Sequence, residues 1–277
     1  MAKKQPSAKI ARISEGRGHI HNSRGDPRIV EDAAHALSRQ SPPNTIPRAC
    51  RSITVKETPL RHFAQELEDV NRALLQMGGL VESSIHCSIQ ALEEGDERLA
   101  RRIIADESRI NRMEMEIDSQ VTRLLALQQP VAKDLRFLTS VLKINGDLER
   151  MGRLAVHIAR RTLSLIQQPE VRPVVDIPRM AALAEDMLRK SLDAFVRQDA
   201  VLAESVLPAD REVDELRDKV FQELTHVMQS QPARVLAALD LMFVARHLER
   251  TADHSTNIAE DVIFLVRGDD VRHRATR

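Results

Sequence analysis

Neither tryptophan nor tyrosine occurs in the 277 residues, and phenylalanine appears only six times. The core must therefore be aliphatic, and little surface exists on which a base or sugar ring would stack. Cysteine is as scarce. Cys50 and Cys87 lie far apart with no paired spacing, which excludes a disulfide framework, a zinc knuckle and a CxxC redox motif. Cys87 reads as a small buried hydrophobe. No segment approaches the ~20 apolar residues of a membrane helix, and the basic N-terminus, MAKKQPSAKIARISEGRGHIHNSRGD, has no apolar run after its lysines. A cytoplasmic protein is expected, without direct membrane insertion. Net charge is also missing. The 41 Lys and Arg equal the 41 Asp and Glu, so the overall balance points neither to nucleic acid nor to a membrane surface.

What is present is organised in blocks. Residues 1–50 hold three glycines, five prolines and nine basic side chains against four acidic ones. Polar and aperiodic, that stretch cannot bury enough apolar area to offset its ordering entropy, so 1–55 is expected to be a disordered basic extension. From Leu60 the chain turns to long runs of helix formers with Pro and Gly mostly at their ends. Six helices are predicted: Leu60–Glu93, Glu97–Leu127, Val131–Gln167, Arg179–Arg197, Ala200–Met228 and Ala233–Val266. Pro208 should kink the fifth.

The second half repeats the first. The segment LLALQQPVAKDLRFLTSVLKINGDLERMGRLAVHIAR (124–160) lies over HVMQSQPARVLAALDLMFVARHLERTADHSTNIAE (226–260), matching Gln129-Pro130 to Gln231-Pro232 and Leu148-Glu149-Arg150 to Leu248-Glu249-Arg250. This internal duplication predicts an all-α fold of two tandem three-helix bundles, over 56–168 and 178–268, with a short C-terminal tail at 269–277.

Carboxylates gather in the second copy. In antiparallel helices, residues equally distant from their turn lie level, so counting outward from Gln231-Pro232 sets Glu249 level with Asp214 and Asp253 level with Asp210. Glu249 and Asp253 share a face because they are four apart, as do Asp210 and Asp214. Four negative charges so placed need neutralising. Two agents are available: an arginine lattice drawn from Arg211, Arg217, Arg246 and Arg250, or a hard cation. Carboxylate oxygens without thiolates suit Mg²⁺, Mn²⁺ or iron, and Zn²⁺ with help from His254 or His247. In the first half, Glu149 comes level with Ile110, and Arg153 takes the place of Asp253. An Arg153–Asp106 or Arg153–Glu107 pair should neutralise that half and leave any metal site there weaker or absent.

The duplicated LER motif, ERTADHSTNIAE in the second copy, QQPVAKDLRFLTSVLKI, QMGGLVESSIHCSIQAL and the aliphatic six-helix plan together resemble the PhoU family from Leu60 to Gly268. The resemblance implies a dimer with a Glu/Asp-x-x-x-Asp motif in each half that binds metal ions on the protein surface. That motif carries over to Glu249 and Asp253; in the first half Glu149 matches and Arg153 departs. It also implies a negative regulator of the phosphate-starvation response and modulator of phosphate uptake. Such a protein works in the cytoplasm, or peripherally at the inner membrane through its partners, between the ATPase subunit of the phosphate ABC transporter and the sensor histidine kinase of the response. The extension before about Val55 has no counterpart in the resemblance, and translation is expected to start near Val55.

Three rivals stand beside this reading: an accessory protein of a low-affinity phosphate transporter, a purely structural helical adaptor, and a ferritin-like carboxylate metal protein. The last would need two facing Glu-x-x-His elements, and the sequence holds one, Glu223-Leu-Thr-His226. Without a glycine-rich phosphate loop or a nucleophile–base constellation, no enzyme is expected. His247 and His254 read as helix-surface or outer-sphere groups rather than catalytic bases.

Overall fold

The structure, a computed structural model, describes residues 59–168 and 177–271. The expectations for 1–55 and for most of the proline-rich connector lie outside the described residues. Every regular element among those described is helical: α1 (Pro59–Glu94), α2 (Glu97–Gln128), α3 (Ala132–Leu165), α4 (Ile177–Arg197), α5 (Ala200–Glu204), α6 (Ala209–Ser230) and α7 (Val235–Arg267), with a 3₁₀ turn at Pro232–Arg234.

Local chemistry explains most of these limits. Gly95, at φ +64°, ends α1, and the carboxylate of Asp96 accepts hydrogen bonds from the N–H groups of Arg98 and Leu99 at 2.8 and 3.1 Å, which caps α2. The second half repeats the device. Asp199 accepts from Val201 and Leu202 at 2.9 and 3.1 Å, with Gln198 in the left-handed region just before it. The duplicated Gln-Pro turns do not match: Gln129 is left-handed, whereas Gln231 has φ −138° and ψ 78° and leads into the 3₁₀ turn. Pro208 does more than kink the expected fifth helix. It has no N–H to offer the carbonyl of Glu204, so the helix breaks after Glu204 and restarts at Ala209.

Each half packs three antiparallel helices, α1–α3 and α4–α6–α7, around aliphatic side chains such as Leu74, Ile117, Leu148, Met187 and Val244. The core runs on between the halves, and the described residues belong to one compact unit. Cys87 is a free thiol, half-buried against this core. Gly152 lets α3 approach α2, because a Cβ there would lie 2.8 Å from Ile110 Cδ1.

α3 and α7 lie antiparallel along each other, and charged side chains span the seam. Lys143 Nζ meets Asp261 Oδ1 at 2.7 Å, His254 Nδ1 meets Asp147 Oδ1 at 2.9 Å, and Arg161 Nη1 meets Asp240 Oδ1 at 3.1 Å. Asp147, Asp240 and Asp261 are each about 5% exposed. With a 100-residue offset the Lys143–Asp261 pair falls on Phe243 and Arg161, where the contact is a guanidinium 4.4 Å from the Phe243 ring centre instead of an ion pair.

Candidate metal centre

α6 and α7 run antiparallel from the turn at Gln231, so the carboxylates counted as level are neighbours in space. Arg217, on α6, binds across both helices. One of its nitrogens, Nη1, lies 3.0 Å from Asp214 Oδ1 and 2.7 Å from Glu249 Oε1, and Nη2 reaches Asp218 at 2.9 Å. One turn away, Asp210 and Asp253 line an open cavity of about 370 Å³ with Arg250, His254, Thr256 and Asn257.

The two levels differ in charge balance. At the first, Arg217 supplies a cation to Asp214 and Glu249. At the second, Asp253 stands at the surface, yet its carboxyl is pushed up to about 6. Surrounding protein strips part of its water, and Glu249, Asp210 and Asp214 add negative charge. Asp210 is also raised, by lost hydration first, then by Asp214 and Glu249, against a smaller opposing pull from Thr256 and Arg217. Glu249 Oε2 is buried with no hydrogen-bond partner. Of the other arginines, Arg246 comes only to 4.0 Å of Glu249, and Arg211 lies in a separate groove with Arg179 and Lys219. Arg217 thus closes on Glu249 and Asp214, while Arg250 lines the cavity with Asp210 and Asp253 and their carboxyls are still raised.

The donors are of the type a hard cation takes, oxygens from Asp210, Asp253 and Glu249, one of them buried and unpartnered, in a region where lost hydration and then negative charge raise two carboxyls. As the side chains stand, no three His, Cys, Asp or Glu groups among the described residues are spaced to hold an ion. Binding would have to draw the carboxylates inward and compete with Arg217 for Glu249 and Asp214.

In the first half, Glu149 is paired with Arg153 on its own helix. This corrects the expected Arg153–Asp106 or Arg153–Glu107 pair. Asp106 lies 4.0 Å from Arg102, and Glu107 lies 3.5 Å from Arg160. A partner one turn away on the same helix is always within reach, whereas a partner on α2 requires a specific extended rotamer.

The histidines also differ from expectation. His254 is 8% exposed and faces α3, where Asp147 also accepts from Arg150 at 3.3 Å. His247 is turned against His157, with ring centres 5.2 Å apart, and neither of its ring nitrogens has a hydrogen-bond partner. Asp147, Asp240 and Asp261 did not stand out in the sequence. The available signal was their position inside otherwise apolar stretches of α3 and α7, where a charge must find a partner.

Residues 74–162 and 177–262 each match the PhoU domain. The chain belongs to the PhoU family. It is 42% identical over 214 residues to the phosphate-specific transport system accessory protein PhoU homolog of Pseudomonas aeruginosa, covering 77% of this chain and 88% of that one. It is 37% identical over 210 residues to the PhoU homolog of Clostridium acetobutylicum, covering 76% and 96%. The crystal structure of PhoU from Pseudomonas aeruginosa superposes with a TM-score of 0.73 at 41% identity over 75% of this chain and all of that one. The phosphate transport system regulatory protein PhoU from Streptococcus pneumoniae gives 0.69 at 30% identity, over 76% and 99%. The two PhoU matches coincide with the two three-helix sets, and the departure at Arg153 lies inside the first. No helix among the described residues is long and apolar enough to cross a membrane.

Proposed function

We propose that this PhoU-family protein is a negative regulator of the phosphate-starvation response and a modulator of phosphate uptake, acting without turnover in the cytoplasm. The observation that carries the reading is the pair of PhoU-domain matches covering both halves, together with relatives named as accessory proteins of the phosphate-specific transport system. As a homodimeric adaptor, it joins the ATPase subunit of the phosphate ABC transporter to the sensor histidine kinase of the response. A divalent or trivalent cation (Mg²⁺, Mn²⁺, Zn²⁺ or iron) is held by Asp210 and Asp253 with Glu249 and Asp214. When bound, it would supply the positive charge that Arg217 supplies only to one level of the cluster.

Deletion of the gene tests the regulatory role. It should switch on phosphate-starvation genes in phosphate-rich medium, and an unchanged response overturns the reading. Immobilised full-length protein should retain the transporter ATPase and the kinase; retention of neither would reduce the protein to a helical scaffold outside this pathway.

A further inference from the structure

The N-terminal turns of α7 expose apolar side chains that the fold does not need. Leu236, Leu239 and Phe243 are 68%, 39% and 45% exposed and stand three and four residues apart, on one face of the helix. At a 100-residue offset the matching places on α3 hold Arg136, Thr139 and Lys143, so the other copy builds the same helix without them. α3 ends beside this face. Gln168 Nε2 reaches Asp240 Oδ2 at 3.0 Å, Ile166 two residues earlier is exposed, and the Arg161 guanidinium lies over the Phe243 ring. Single exposed apolar residues are ordinary, but a row of them that includes an aromatic with an arginine stacked on it has the composition of an interface.

The rim of the row carries arginines whose carboxylates lie deeper than they do. Arg161 meets buried Asp240 at 3.1 Å, exposed Arg160 meets half-buried Glu107 at 3.5 Å, and exposed Arg246 comes only to 4.0 Å of buried Glu249. Solvent at this face therefore meets guanidiniums more than their counter-charges. The nearby imidazoles register the same field: after burial, Arg160 lowers His157 against an opposing pull from Glu107, and His157, Arg161, Arg250 and Arg246 lower His247. We infer that Leu236, Leu239 and Phe243, with the arginines on their rim, form a docking surface for an amphipathic helix of a partner protein whose apolar ridge is edged by Asp and Glu. The row is about 10 Å long at 1.5 Å per residue, which two turns of such a helix would cover with residues at i, i+3, i+4 and i+7. An extended peptide has nothing to pair with, since every regular element among the described residues is helical. The inference rests on the adaptor reading above and deepens it by assigning one contact face.

The test uses the full-length protein with a benzophenone amino acid in place of Leu239, irradiated with the purified transporter ATPase or with the cytosolic part of the kinase. Cross-linking to a segment of one of them with apolar residues at i, i+3, i+4 and i+7 and acidic flanks is expected. Phe243→Ser should weaken that partner about tenfold or more at an unchanged melting temperature, and Arg246→Glu should weaken it as well. Binding by the parent should also fall as salt is raised, because the rim charges are exposed. Cross-links confined to a second copy of the chain or to its own residues 1–55 overturn the inference. So do cross-links to a partner segment that is not an acidic helix, and undiminished binding by Phe243→Ser. In each of these cases retention of the ATPase and the kinase by the parent leaves the adaptor reading standing, whereas a parent that retains neither overturns both. If Phe243→Ser loses its fold, Leu239→Ser takes its place, and the cross-link decides without either variant.

Discussion

Arg217 Nη1 lies 2.7 Å from Glu249 Oε1, joining α6 to α7 at the carboxylate cluster. The same nitrogen serves Asp214, so a single guanidinium occupies one level of the cluster and leaves Asp210 and Asp253 to the other.

Cation binding should therefore depend on the second half. A divalent ion that binds only the folded state stabilises it by RT ln(1 + [L]/Kd), about 2.7 kcal/mol at a hundredfold excess over Kd. Asp253→Ala and Glu249→Ala should abolish that increment in thermal melts with Mn²⁺ or Zn²⁺, while Glu149→Ala should keep nearly all of it. Equal loss in all three variants would show that the halves bind alike.

Without metal, the cluster repels itself. The Asp253 carboxyl is raised to about 6 from an ordinary value near 3.9, so the folded state holds its proton more tightly than the unfolded chain between those limits. Its stabilising contribution is present below about pH 4 and is lost as pH rises through about 6. Asp253→Asn should consequently raise the melting temperature of metal-free protein at pH 8 and change it little at pH 4. A fall at pH 8 would show that Asp253 has a cationic partner even without metal.

His247 runs the other way. Burial first, then His157 and the charges of Arg161, Arg250 and Arg246, hold its imidazole down to about 4. The unfolded chain takes up this proton from about pH 6.5, so the contribution of neutral His247 is present above 6.5 and is lost as pH falls toward 4, at up to about 1.4 kcal/mol per pH unit. Urea melts at pH 7.5, 6 and 5 on the Asp253→Asn background should show that slope, and His247→Gln should flatten it.

Gly152 should tolerate no methyl group without a response from α2. Its Cβ would stand 2.8 Å from Ile110 Cδ1, and overpacking of this kind costs about 1–3 kcal/mol. Ile110→Val removes that terminal methyl, so Gly152→Ala combined with Ile110→Val should be less destabilised than the two single changes added together. Additive losses in denaturant melts would place the strain elsewhere.

Leu148 is fully buried in α3 next to Glu149, and truncation to alanine should cost about 2–5 kcal/mol, depending on how far the neighbours collapse. Chemical denaturation with an unchanged slope would measure it directly.

The sequence by itself determined the helices, the duplication and the levels of the carboxylates. Those features rest on short-range chemistry. Asp96 and Asp199 cap within three residues, prolines interrupt where no N–H is available, and equal rise along antiparallel helices sets Glu249 against Asp214 once the turn at Gln231-Pro232 is located. Only the tertiary structure decided which charges meet. Arg217 rather than Arg250 or Arg211 took Glu249, Arg153 turned to Glu149, and Asp147 crossed the seam to His254. Each choice depends on rotamers and on the docking of α3 along α7. That contact joins residues about a hundred positions apart, and no local period in the chain encodes it.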